Sequence, residues 1–107
     1  MKTRRDVFQA LADPTRRAII YLLAINSMTP NSLAEHFNSS RQAISKHLQV
    51  LTECEVVSHK QKGREIHYFL EFEKVKEIEE WVDKLKLIWN SRFLQLDNLL
   101  EKIKKSS

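Results

Sequence analysis

The sequence contains only one cysteine, one glycine and two prolines, so few of its 107 residues interrupt regular structure. The single cysteine, Cys54, excludes an internal disulfide, and its unpaired thiol fits a reducing compartment, which predicts a cytoplasmic protein. No run of about 18 apolar residues is present, and the charged segment MKTRRDVFQALADP lacks the apolar core of a signal peptide. Neither membrane insertion nor secretion is therefore expected.

The net charge of +4 is unevenly distributed along the chain. Residues 1–70 hold ten Lys or Arg and six Asp or Glu, whereas residues 71–107 hold eight of each kind. A basic excess confined to one part of a protein suits a polyanionic partner such as nucleic acid. The length is that of one ordinary domain, so we predict a single domain over residues 1–107.

Capping residues and apolar spacing predict four helices in the first half of the chain. Asp13 followed by Pro14 is typical of a helix start, and the apolar stripe beyond it predicts a helix over 14–25, with a shorter one over 5–12 before it. Thr29 with Pro30 opens the third helix, and Ser39 or Ser40 caps the fourth. The apolar residues expected to face inward are Leu33, Ala34 and Phe37 on the third helix, and Ala43, Ile44, Leu48 and Leu51 on the fourth.

The pattern changes after Cys54. Two segments rich in β-branched and aromatic residues flank the only glycine, in QKGR, and predict a β-hairpin of about 56–60 with 65–70. From about Glu73 to Lys105 nothing breaks a helix, and apolar residues recur every three or four positions. Two successive four-residue steps around Trp89 predict a local stutter or kink in this long helix.

Two helices joined by a tight turn, with the second exposing polar and basic groups, form the arrangement that places a helix in the DNA major groove. Arg41 suits the O6 and N7 atoms of guanine, Gln42 suits adenine, and Lys46 could contact either a base or a phosphate. The basic hairpin would then be a wing along the backbone or in the minor groove. The predicted DNA-binding residues are Ser39, Ser40, Arg41, Gln42, Ser45, Lys46, Lys60, Lys62 and Arg64.

Three stretches, LADPTRRAIIYLL, SLAEHFNSSRQAISKHLQVL and KGREIHYFL, resemble the corresponding parts of the ArsR family of winged-helix repressors over about residues 5–70. The resemblance implies a recognition helix from about Ser40 to Thr52 and a wing over 56–70. The expected fold is therefore mainly α with a two-stranded β-hairpin: a winged helix-turn-helix core over 5–70 and a C-terminal dimerisation helix over 71–107. One departure is Glu55, at a position after the recognition helix where many members have glycine.

The metal sensors of that family carry a cysteine pair before the turn, or Asp and His ligands on the last helix. Residues 31–37 contain no cysteine and residues 71–107 contain no histidine, so neither a metal nor another cofactor is expected. Among family members the chain resembles the metal-independent autorepressors, some of which a partner protein controls. No motif for catalysis is present, and no enzyme activity is expected.

The resemblance also implies a homodimer held by the first and last helices. A two-fold dimer would place two recognition helices about 34 Å apart, one turn of DNA, and would therefore read a pseudo-palindromic operator in double-stranded DNA. The residues predicted at the dimer interface are Val7, Phe8, Leu11, Leu85, Trp89, Phe93, Leu96, Leu100 and Ile103.

Several alternatives stay open at this point. His47 is either a phosphate contact or a histidine bonded to backbone, Cys54 is either a small apolar residue or a redox thiol, and Arg16 and Arg17 are either phosphate contacts or ordinary surface residues. The aromatic residues of the last helix, Trp81 among them, could line a ligand pocket instead of a dimer seam. The whole fold could also serve as a protein-interaction module that reads no DNA sequence.

Overall fold

The computed structural model describes residues 5–106, apart from the side chains of residues 92–97 and 99. Within these residues the chain is mainly helical with one antiparallel hairpin, as the sequence predicts. The chain divides between Val75 and Lys76 into two compact units, a few residues beyond the predicted boundary. The elements are α1 (Val7–Ala10), α2 (Pro14–Ile25), α3 (Pro30–Ala34), α4 (Arg41–Glu53), β1 (Val57–Lys62), β2 (Glu65–Leu70) and α5 (Phe72–Ser106).

Each of the first four helices begins at a polar side chain that accepts a hydrogen bond from the backbone N–H three residues further on. A bond of this kind satisfies one of the N–H groups that a helix start leaves without a partner, and is worth about 1 kcal/mol. Proline at the first helical position of α2 and α3 strengthens those starts. The four caps are Asp6, Asp13, Thr29 and Ser40, with nitrogen-to-oxygen distances of 3.0, 3.0, 3.1 and 3.1 Å.

The first unit has one hydrophobic core, to which every element from α1 to β2 contributes. The inward positions of α2 and α4 repeat at helical spacing, so each helix turns one apolar face to the others. No polar or charged residue is buried among the residues that the structure describes. The core consists of Val7, Ala10, Ile19, Leu23, Leu33, Ile44, Leu48, Leu51, Cys54, Val56, Val57 and Leu70.

α4 ends in a Schellman motif built without glycine. The N–H of Val56 donates to the carbonyl of Leu51 at 3.1 Å, and the N–H of Glu55 donates to that of Thr52 at 3.0 Å. Glu55 lies between them with φ 65°, the left-handed region that glycine usually occupies. Val56 and Leu51 are both fully buried and supply the apolar contact of this motif. Glu55 therefore stands in place of the expected glycine and still adopts the left-handed conformation.

The hairpin is longer than predicted on its first strand, because β1 continues to Lys62 and leaves a two-residue turn of Gly63 and Arg64. Gly63 has φ 63° at the first turn position, where a type II′ turn requires glycine. A third segment joins the other edge of β2. Met28 and Tyr68 exchange two backbone hydrogen bonds, of 3.0 and 2.8 Å, and so connect the loop before α3 to the hairpin.

α3 is shorter than the periodicity suggests. After Ala34 the N–H groups of His36 and Phe37 donate to carbonyls three residues back, at 3.0 and 3.1 Å, which is the tighter bonding of a 3₁₀ turn. Phe37 is accordingly half-buried, whereas Leu33 lies in the core. The tight turn brings the chain to Ser40, where α4 begins.

α5 does not run straight. The Nζ of Lys84 donates a hydrogen bond to Oγ of Ser106 at 3.3 Å. A straight helix would separate these residues by roughly 33 Å along its axis, at about 1.5 Å per residue. The chain must therefore bend back between Lys84 and Ser106.

Candidate nucleic-acid interface

α4 has one buried face and one exposed polar face, as its sequence predicts. Ile44, Leu48 and Leu51 are buried, and Ala43 is half-buried beside them. The opposite face presents two cations and three side chains that can both donate and accept hydrogen bonds, a mixture suited to base edges and phosphates. All five side chains of this face are exposed: Arg41, Gln42, Ser45, Lys46 and Gln49.

The serines that precede α4 are also exposed. Ser40 accepts the capping bond from the N–H of Ala43 with its Oγ, so its own hydroxyl hydrogen remains able to donate to an anion. Ser39 forms no side-chain hydrogen bond among the residues described. The sequence prediction that both contact phosphate is compatible with these positions and stays a prediction.

The two lysines of the wing lie on one face of the hairpin. Lys60 lies opposite His67 and Lys62 opposite Glu65, and directly opposed residues in an antiparallel pair share a face. The Nε2 of His67 lies 3.4 Å from Oε1 of Glu65. A shallow cavity of about 290 Å³ on this face is lined by Ser27, Lys60, Lys62, His67 and Phe69.

A second cavity joins the recognition helix to the wing. It has a volume of about 150 Å³ and receives Arg41 from the start of α4 and Arg64 from the hairpin turn. Both arginines were predicted at the DNA surface, but the sequence did not predict that they line one cavity or that residues 29–31, at the start of α3, complete its wall. The full lining is Thr29, Pro30, Asn31, Arg41, Arg64, Glu65 and Ile66.

Three of the alternatives that the sequence left open are answered by contacts within the first unit, and the first of them concerns Arg16 and Arg17. The guanidinium of Arg16 donates to the carbonyls of Ala10 and Gln9, at 3.1 and 2.9 Å, and Arg17 donates to that of Leu11 at 2.6 Å. Both arginines therefore satisfy carbonyls at and beyond the end of α1, a structural role that neither sequence interpretation named.

His47 and Cys54 are likewise engaged within the protein. His47 has Nδ1 3.9 Å from Oδ2 of Asp13, which links α4 to the start of α2. The pKa of Asp13 is lowered, chiefly because its carboxylate accepts the hydrogen bond from the N–H of Arg16. Burial raises the pKa of the Cys54 thiol, which keeps it in the unreactive neutral form and agrees with a core role.

The residues predicted at the dimer interface divide into four groups. Val7 is 1% exposed and belongs to the core of its own chain, so the prediction of a surface role for this side chain is corrected. Phe8 and Leu100 are exposed, and Leu11 and Ile103 are half-buried. Leu85 and Trp89 line an apolar groove of about 380 Å³ with Val82, Lys86 and Ile88. The side chains of Phe93 and Leu96 lie outside the described residues.

No group of three or more His, Cys, Asp or Glu side chains that could hold a metal ion occurs in the described part of the chain. Among the same residues, no helix combines the length and apolar character needed to cross a membrane.

A helix-turn-helix with a basic wing defines a winged helix-turn-helix DNA-binding regulator. The chain matches the bacterial regulatory protein, arsR family, over residues 13–59. It is 43% identical to the transcriptional repressor SdpR of Bacillus subtilis strain 168 over 77 residues, and the alignment covers 72% of this chain and 86% of that protein. It is 35% identical over 81 residues to the uncharacterized HTH-type transcriptional regulator MJ1325 of Methanocaldococcus jannaschii, covering 75% of this chain and 91% of that one.

Among solved structures, the ArsR-like transcriptional regulator from Rhodococcus sp. RHA1 superposes with a TM-score of 0.74 at 32% identity, over 94% of this chain and 89% of that one. The chain therefore belongs to the arsR family. It is a DNA-binding transcriptional regulator and not an enzyme, and members of this family typically act as dimers.

Proposed function

We propose that this protein is a homodimeric repressor that binds a pseudo-palindromic operator, its own promoter included, and excludes polymerase from it. The observation that carries the proposal is the exposed polar face of α4 next to a cationic wing on one compact unit. A helix of this kind fits the major groove, and the wing then reaches the adjacent backbone or minor groove. The relative named as a transcriptional repressor supports repression as the outcome.

The contacts proposed on α4 differ in kind. Gln42 and Ser45 offer paired donors and acceptors that can follow base edges, and Lys46 adds a charge one residue further along the same exposed face. On the wing, Lys60 and Lys62 offer point charges, which hold phosphates without reading sequence. Affinity would thus come largely from the wing and specificity largely from α4.

The dimer is supported by apolar surface that the single chain leaves uncovered. Trp89 is 79% exposed, and it borders the groove that Leu85 also lines. On the first unit, Phe8 is 41% exposed. Exposed aromatic side chains beside an apolar groove are typical of an interface, and a second copy of the same chain would bury them with two-fold symmetry.

The experiment that tests DNA binding is fluorescence anisotropy with the duplex upstream of the gene and with a scrambled duplex, at several salt concentrations. We expect preference for the upstream duplex and a steep salt dependence. Lys62→Ala should weaken binding to both duplexes and lower the salt slope by about one unit, whereas Lys102→Ala, an equal charge loss on exposed α5, should change neither. Equal, salt-insensitive binding of the two duplexes would overturn the proposal in favour of a protein-interaction module.

The experiment that tests the dimer is sedimentation equilibrium of the wild type and of Trp89→Asp. Placing a carboxylate in a buried interface should weaken self-association more than about tenfold and weaken operator binding with it. Leu87→Asp is the matched control, because Leu87 is exposed on the same helix but does not line the groove. Equal effects of the two substitutions would contradict the proposed interface.

Two further parts of the proposal follow from the sequence. A repressor acts where chromosomal DNA lies, so we place the protein in the cytoplasm, in keeping with the unpaired Cys54. Resemblance to autorepressors under partner control adds a regulatory partner protein. Such a partner must lower the affinity for the upstream duplex when it is added to the anisotropy assay.

A further inference from the structure

The cavity between the recognition helix and the wing is lined by two arginines whose side chains bond to no other described residue of the protein. Arg5 forms an ion pair with Glu53 at 3.0 Å, and Arg16 and Arg17 donate to carbonyls of the backbone. In contrast, Arg41 and Arg64 have no hydrogen bond or ion pair with any residue that the structure describes. Both are exposed, and both line the same cavity of about 150 Å³.

Two guanidinium groups that line one cavity raise the positive potential there, which attracts an anion. They come from separate elements, since Arg41 is the first residue of α4 and Arg64 is the second residue of the hairpin turn. Each guanidinium presents a planar fork of donors that matches the oxygens of a phosphate or carboxylate. The two side chains are therefore suited to binding one anion together.

The other walls indicate which anion fits. Asn31 is exposed and adds a neutral amide, which can donate to an oxygen without adding charge. Glu65 also lines the cavity, but its carboxylate lies 3.4 Å from Nε2 of His67, so the charge at the cavity is set by the two guanidinium groups. A phosphodiester carries one negative charge, whereas a phosphomonoester carries about 1.5 to 2 at neutral pH. Of the two, the phosphodiester is the group that lines a DNA duplex, which is the partner in the proposed function.

We propose that this cavity is a phosphodiester subsite in which Arg41 and Arg64 hold the same DNA phosphate. The inference rests on the proposed DNA-binding function and changes the role of Arg41. Although the guanidinium of Arg41 could reach guanine, in this proposal it binds a phosphate instead of a base. Sharing that phosphate with the wing fixes the position of the start of α4 on the DNA. Gln42, Ser45 and Lys46 are then the side chains of α4 left to read bases.

A double-mutant cycle in the salt dependence tests the subsite. Since the salt slope counts neutralised phosphates, Arg41→Ala, Arg64→Ala and the double variant should each lower it by no more than about 0.9. The matched pair is Arg41→Ala with Lys62→Ala, which also combines α4 with the wing but includes a lysine outside the cavity. That double variant should lower the slope by the sum of the losses of its two single variants, because Arg41 and Lys62 contact different phosphates.

A second measurement separates positioning from base reading. Binding of the wild type and of Arg41→Ala is compared over upstream duplexes with one base pair changed at a time. Binding of the wild type and of the Arg41 and Arg64 double variant is compared over duplexes with one phosphate replaced by neutral methylphosphonate. We expect an unchanged base-preference profile, and one phosphate per half-site whose replacement weakens the wild type but not the double variant. Relaxed preference at one base pair, or a slope loss of about 1.8 for the Arg41 and Arg64 pair, would overturn the subsite.

The two levels of the proposal fail in different ways. If the wild type binds no duplex at low salt, DNA binding and the subsite both fall. If the wild type binds but the Arg41 and Arg64 variants bind equally well, only the subsite falls, and an acidic peptide becomes the candidate ligand. Neither arginine has a partner in the described part of the protein, so thermal melting of the variants should match the wild type and exclude misfolding as the cause.

Discussion

Replacing Glu55 by glycine should stabilise the protein. Glu55 holds φ 65° in the Schellman motif that ends α4, and its side chain forms no hydrogen bond or ion pair among the residues described. A residue with a β-carbon in the left-handed region costs roughly 1–2 kcal/mol, which glycine avoids. Glycine also gives the unfolded chain more freedom, which offsets about 0.5–1 kcal/mol of that gain.

The net expectation is a gain of about 0.5–1 kcal/mol in the free energy of unfolding. For a domain of this size that corresponds to a rise in Tm of roughly 2–8 °C. The assay is thermal and urea denaturation followed by circular dichroism, with concentration held constant because self-association also affects Tm.

The control is Glu55→Ala, which removes the same charge and side chain but keeps the β-carbon. Any difference between the two variants isolates the backbone conformation from the loss of charge. The free energy of unfolding of Glu55→Gly should exceed that of Glu55→Ala by the whole of the expected gain. If the two variants have equal stability, the left-handed conformation of Glu55 is not strained, and the explanation of this helix end is wrong.

Three other substitutions or reagents probe the same unit. Asp13→Ala should cost about 1 kcal/mol by removing the cap of α2, whereas Asp13→Asn keeps the cap. Because the folded pKa of Asp13 is lowered, its charge contributes stability above the ordinary aspartate range. That contribution is lost as pH falls through the folded pKa. The difference in free energy of unfolding between wild type and Asp13→Asn, measured by denaturant titration, should therefore shrink below about pH 4. A difference that stays constant with pH would contradict this assignment. Leu51→Ala should lower the free energy of unfolding by about 2–5 kcal/mol, because Leu51 is buried. Gln49→Ala, on the exposed face of the same helix, should change it by no more than about 0.5 kcal/mol. Comparable losses from the two variants would refute the division of α4 into two faces. Cys54 should resist alkylation by iodoacetamide in the native protein and react once urea unfolds it, and fast native labelling, read by mass spectrometry, would show that the thiol is not buried.

The features of this fold that depend on neighbouring residues could be predicted from the sequence. Asp13 with Pro14 marks the start of α2, and Ser40 marks the start of α4, because a cap needs only a side chain and an N–H three residues away. Gly63 places the hairpin turn, since a positive φ at a two-residue turn favours glycine. The exposed face of α4 followed from helical periodicity alone.

The features that depend on distant residues could not be predicted in this way. The bonds between Met28 and Tyr68 join segments far apart in sequence, and neither residue carries a signal for the pairing. Arg41 and Arg64 were each placed at the DNA surface, but their shared cavity depends on how the wing lies against α3 and α4. Val7 was assigned to an interface because apolar spacing does not say whether a short helix buries its residues in its own chain or in a partner.

The bridge between Met28 and Tyr68 has a consequence for the kinetics of recognition. β2 is hydrogen bonded to β1 along one edge and to Met28 on the other, so the wing is tied to the loop that leads into the helix-turn-helix before any DNA arrives. A preorganised surface loses little conformational entropy on docking. Association with an operator should therefore need no folding step of the wing, and its rate should follow diffusion and ionic strength.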